Sequence, residues 1–142
     1  MASPPSHPPF RLVIPVEAAD IDELGHVNNV VYLRWVQEAA SSHWRAMASA
    51  ETQAAIVWVV LRHEIDYKSP AQLGEEVLIQ TWVGTATGLS FERHTEILRA
   101  TDQQLLAQAR TLWCPINTQT GRPQRINAAL RAQFSIEEPE LS

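Results

Sequence analysis

The chain has 142 residues, enough for a single domain with one sizeable core. A net charge of −5 argues against a nucleic-acid binder, which needs a basic face. With 45% hydrophobic and 19% charged residues, it has the composition of an ordinary globular protein rather than a disordered or membrane-embedded one. The lone cysteine, Cys114, has no internal partner for a disulfide, so a reducing cytoplasm is expected. The five histidines are scattered and one thiolate builds no zinc site, so no metal is expected. No redox cofactor is expected, and no glycine loop for phosphates is present. The longest apolar run, Ala54–Leu61, is too short to cross a bilayer, so membrane insertion is not expected.

In chain order, residues 1–9 form a proline-rich segment expected to be a flexible tail and not a signal peptide. A domain is expected over residues 10–136, followed by an acidic tail at 137–142. Phe10–Ala18 alternates as a strand, and Pro15 suits a sheet edge. A polar loop, Asp20-Ile21-Asp22-Glu23-Leu24-Gly25-His26-Val27-Asn28-Asn29, follows. It leads into a helical rhythm carried by Val31, Tyr32, Trp35, Val36, Ala39, Ala40, Trp44 and Met47. Asn28 is the expected N-cap, accepting from the amide of Val30 or Val31. The Asn29 N–H is then left at the positive end of the helix, where it stabilises an anion or a developing oxyanion. Gly25 lets the loop bend so that Asp22 returns towards those amides. A carboxylate beside a carbonyl-polarising donor is a minimal acyl-transfer site.

The rhythm stops around Ser49–Gln53, where a turn is expected. Ile56–Lys68 reads as a long strand, apolar on both faces up to Leu61 and alternating beyond it. A strand that is apolar on both faces needs cover on both, which a subunit interface supplies. Glu76–Val83, Leu89–Arg99 and Leu105–Ile116 are further strands, with turns at Gly84–Gly88 and Ala100–Gln103. Ala107, Ala109 and Thr111 make a small-residue face against which a helix lies closely. Asn127 opens a short helical pattern through Leu130 and Phe134. One strand, a long helix and then four long strands indicate an α+β fold, an antiparallel sheet packed on one principal helix.

The pattern Asp22-x-x-Gly25-His26-Val27-Asn28-Asn29-x-x-Tyr32, with Glu38-Ala39-Ala40 on the helix, resembles the hot-dog-fold acyl-CoA thioesterases of the 4-hydroxybenzoyl-CoA and long-chain acyl-CoA branch. The resemblance continues in Tyr67–Glu75, in Ser90-Phe91-Glu92-Arg93 and in Thr120-Gly121-Arg122-Pro123, so it spans nearly the whole chain. It implies a five-stranded sheet wrapped around the helix. It also implies an edge-to-edge homodimer through the strand after the helix, or a homotetramer, with an acyl-CoA as the partner. Asp22 then corresponds to the catalytic carboxylate, either nucleophile or general base, and Asn29 to the residue whose backbone amide polarises the thioester carbonyl.

His26 either orders the loop or touches substrate. Tyr32 is a core residue whose hydroxyl is near the acyl pocket. Glu38 is either a solvated helix charge or a second carboxylate that orients water. Ser90 is either a turn serine or a hydrogen-bonder in the site. Lys68 and Arg93, with Arg62, Arg122 and Arg125, are candidates by charge for the coenzyme A phosphates. The alternatives are an acyl-carrier-protein thioesterase and a non-catalytic acyl-ligand-binding protein of the same fold.

Overall fold

A computed structural model describes residues 8–134. The expected tails fall outside the described residues, apart from residues 8 and 9. Five antiparallel strands form one sheet: β1 (Phe10–Pro15), β2 (Ile56–Tyr67), β3 (Glu76–Thr87), β4 (Ser90–Arg99) and β5 (Leu105–Asn117), in the order β1-β3-β4-β5-β2. Pro15 ends β1, an edge strand as its missing N–H demands. The long helix α1 (Asn29–Met47) lies on one face of the sheet. Its apolar stripe, Val31, Tyr32, Trp35, Val36, Ala39 and Ala40, is buried against Val77 and Ile79 of β3, Ile97 of β4 and Ala107 and Ala109 of β5. Ala107 has no exposed surface and Ala109 is 7% exposed. The small residues of β5 are thus buried in the same core, but the helix makes its closest approach to β3 and β1 rather than to the β5 face expected to receive it.

Three local expectations change. After α1, Ser49–Gln53 is not a plain turn. Ser49 caps a second helix, α2 (Ala50–Ala55), by accepting from the Thr52 amide at 3.1 Å. None of its residues is buried, so no apolar rhythm announces it. The expected turn at Gly84–Gly88 shrinks to Gly88 and Leu89, because β3 runs on to Thr87 through an irregularity between Val83 and Ala86. Gly84 serves close approach there, since a Cβ would collide with the Glu92 carboxylate and the His94 ring. The first strand ends at Pro15 rather than Ala18, because Ala18–Asp20 forms a 3₁₀ turn closed by a capping box between Glu17 and Asp20. A third helix, α3 (Ala128–Gln133), is capped by Asn127, whose side chain accepts from Leu130.

β2 is the other edge of the sheet. Beyond an irregularity between Val60 and Arg62 its side chains alternate. Val57 and Val59 before it and Leu61 within it are about half exposed, at 50%, 48% and 57%. Within one chain the doubly apolar half-strand therefore has cover on one face only. No helix among the described residues is long and apolar enough to cross a membrane.

Candidate active site

The loop before α1 is a tight hairpin. Ile21 bridges Val27, the Asp22 N–H donates to the His26 carbonyl at 2.8 Å, and the Gly25 N–H donates to the Asp22 carbonyl at 3.1 Å. Gly25 takes φ +80°, the left-handed region that closes the turn. Inside this turn Asp22 Oδ1 accepts from the Leu24 amide at 2.9 Å and the His26 amide at 3.4 Å. Among the described residues nothing bonds to Oδ2. One carboxylate oxygen is thus anchored and the other is free.

Asn28 then caps α1, its side chain accepting from the Val30 amide at 3.1 Å, while the Val31 amide donates to the Asn28 carbonyl at 2.9 Å. The first helical residue, Asn29, keeps a backbone N–H with no acceptor among the described residues. Its carbonyl is engaged, accepting from the Tyr67 hydroxyl at 3.2 Å. Asp22, His26, Asn28 and Asn29 line one open groove of about 430 Å³, closed on the far side by Tyr67, Lys68, Ser69 and Pro70.

Tyr32 forms the floor. It is 2% exposed, and its hydroxyl accepts from the buried Ala71 amide at 2.8 Å. Burial raises its pKa. The same Ala71 accepts through its carbonyl from the Val27 amide at 3.0 Å, so this residue ties together the helix, the site loop and the opposite wall. Asp20 is not part of the groove lining. It is 3% exposed and pairs with Arg34 at 2.8 Å. Burial would raise its pKa, but the Arg34 and Glu17 hydrogen bonds bring it below the usual carboxylate range.

The remaining candidates do not join the groove. Glu38 is exposed on α1 and lines no described cavity. Ser90 opens β4 opposite Thr87 beside the Gly88–Leu89 turn, outside the groove lining. Arg93, a candidate for phosphate, is 2% exposed on the inner face of the sheet and belongs to another cavity. It is not among the residues that line the groove. Of the other cations, only Lys68 lines the groove. Tyr67 and Pro70 are wall residues that the sequence reading places in a matching stretch but not among the site candidates. Tyr67 alternates like its neighbours on β2, and nothing local ties its hydroxyl to a carbonyl 38 residues earlier.

A single long helix held in a five-stranded antiparallel sheet, with a carboxylate at the helix opening, is the hot-dog architecture of a thioesterase-like protein. The chain belongs to the thioesterase-like superfamily, whose model matches residues 16–134. Among solved structures it is similar to a thioesterase from Thermus thermophilus determined with coenzyme A and zinc, at 25% identity and TM-score 0.79, over 91% of this chain and 99% of that one. It is also similar to a probable thioesterase from Escherichia coli, at 26% identity and TM-score 0.76, over 87% of this chain and 95% of that one. A 1,4-dihydroxy-2-naphthoyl-CoA thioesterase from Synechocystis shares the fold at 23% identity and TM-score 0.77, over 92% of this chain and 99% of that one. No curated protein matches the chain.

Proposed function

We propose that this chain hydrolyses acyl-coenzyme A thioesters to the free acid and coenzyme A. The observation that carries the reading is the pairing, in one groove, of the free Asp22 Oδ2 with the unpaired Asn29 N–H at the start of α1. The thioester carbonyl oxygen points at the Asn29 N–H, where the helix dipole stabilises the oxyanion of the tetrahedral intermediate. Asp22 either removes a proton from an attacking water or attacks the carbonyl carbon itself, forming an anhydride that water then opens. Collapse of the intermediate breaks the C–S bond and releases coenzyme A as a thiolate, which takes its proton from solvent. A thiolate is a good leaving group, so no strong general acid is required.

Lys68 at the rim gives a cation for the pantetheine-phosphate end. His26 orders the loop through its main chain, which holds both ends of the Asp22 turn. The bare edge of β2, with Val57, Val59 and Leu61 half exposed, supports pairing with a second copy into a homodimer, the unit from which a homotetramer would assemble. The single buried Cys114 supports a reducing cytoplasm as the setting.

A thiol-release assay over a panel of acyl-coenzyme A and acyl-carrier-protein thioesters tests the reading. Turnover of coenzyme A esters is expected. Turnover confined to carrier-protein esters would reassign the substrate, and ligand binding without turnover on any ester would make the protein a sensor.

A further inference from the structure

A second cavity lies on the same face of the sheet, between the C-terminal half of α1, the strands and Phe134. Its lining begins at Ala40 and reaches Trp44, roughly 17–22 Å along the helix from Asn29 at 1.5 Å per residue. Its walls are aromatic: Trp44 meets Trp58 edge-on at 5.3 Å and stacks on Phe134 at 5.5 Å. Phe91 lies 4.8 Å from Trp58 and 5.0 Å from Phe134. Trp113 completes the ring.

Into this apolar box β4 brings a guanidinium. Arg93 is 2% exposed, and among the described residues no carboxylate pairs with it. Its Nη1 donates to Thr81 Oγ1 at 3.1 Å and to His43 Nδ1 at 2.9 Å, and its Cζ lies 5.6 Å from the Phe134 ring centre. To accept from Arg93 the His43 ring must be neutral. Its pKa is lowered to about 4 by burial and by the Arg93 charge, in keeping with that role. The rings of Trp58 and Trp113 line the cleft, while their indole N–H groups are fully buried and have no acceptor among the described residues.

A buried cation without a counter-charge is costly to keep away from water. The hydrogen bonds to Thr81 and His43 and the Phe134 ring satisfy part of the guanidinium but bring no negative charge. The missing partner is an anion with more than one acceptor atom and an apolar body. A diphosphate does not suit a cleft enclosing about 60 Å³ around a single cation. A carboxylate with its first few methylenes does, and the open side of the cleft lets a longer chain continue outward.

We propose that the cleft around Arg93 binds an aliphatic monocarboxylate, its carboxylate on the Arg93 guanidinium, its chain among the aromatic rings. This site is separate from the Asp22 groove and does not depend on what is hydrolysed there.

Three of the five tryptophans line the cleft, so their emission reports on it. The full-length protein at pH 7 is titrated with hexanoate and with hexanamide, its neutral counterpart. Saturable change is expected with hexanoate, at least about tenfold tighter than with hexanamide, the difference between a charge-assisted and a neutral hydrogen bond. Arg93→Gln is expected to abolish the preference for the acid, whereas Asp22→Asn leaves hexanoate binding unchanged. Equal affinity for acid and amide on the parent protein, or no saturable change, overturns the proposal, and this comparison needs no variant to fold. Loss of hexanoate binding in Asp22→Asn would move the acid to the other groove and overturn it equally.

Discussion

Tyr32→Phe isolates the hydrogen bond that joins the candidate site to the core. The substitution keeps the ring, which packs edge-on against Trp35 at 5.2 Å and Tyr67 at 5.4 Å, and removes one oxygen. That oxygen is the acceptor for the Ala71 N–H at 2.8 Å, and Ala71 has no exposed surface. The orphaned amide is thus left buried, at a cost of about 1–3 kcal/mol. Taking about 2 kcal/mol, and about 3–5 °C per kcal/mol for a domain of this size, Tm should fall by about 8 °C. Calorimetry of parent and variant measures it directly. Because Ala71 also holds Val27 through its carbonyl, and Pro70 beside it lines the groove, kcat/KM should fall with the stability. A Tm change under about 1 °C would refute the reasoning, since it would mean the Ala71 amide does not depend on the hydroxyl.

Gly25→Ala meets open space, as nothing lies within 4 Å of the added Cβ, but it forces alanine to φ +80°. A loss of about 1 kcal/mol is expected from backbone strain, with a larger proportional loss of turnover because the Asp22 turn shifts; a denaturant midpoint and a thiol-release rate together check it. Glu38→Gln, on an exposed side chain outside the described cavities, should leave turnover within about twofold and Tm within about 1 °C; a tenfold loss would give Glu38 the water-orienting role. His43 sets a pH dependence. The unfolded chain takes up its proton near pH 6.5, the folded protein only near 4, so stability is full above 6.5 and is lost as pH falls towards 4. The span corresponds to about 3 kcal/mol, or about 2 kcal/mol after allowance for the partial exposure of the ring. His43→Gln, which retains an acceptor for Arg93, should flatten the melting-temperature profile between pH 7 and 4.5, and an unchanged slope would sink the assignment.

The sequence made legible what is local. Asn28 and Asn127 are side chains capping amides two or three residues on, and their helices begin where the caps predict. The Asp22–Gly25–His26 turn is equally short-range. Helix α2 escaped notice because burial, which writes a periodicity into a sequence, does not act on it. Gly84 seemed a turn residue, yet its reason lies across the sheet in Glu92 and His94. Arg93 is the clearest case. A charge on a strand is ordinarily solvated, and only the folded sheet shows it turned inward among five aromatic side chains. The grouping of Tyr67, Lys68 and Pro70 opposite Asp22 likewise needs the topology that lays the end of β2 beside the start of α1.

The central claim is that Asp22 and the first turn of α1 together break a thioester. Single-turnover thiol release by Asp22→Asn, beside Asn29→Ala, tests it most directly, with folding of both variants verified by their thermal transitions. The account predicts a fall of at least about 10²-fold for Asp22→Asn, and of less than about tenfold for Asn29→Ala, which keeps the backbone N–H. Parent-rate thiol release by folded Asp22→Asn would contradict it.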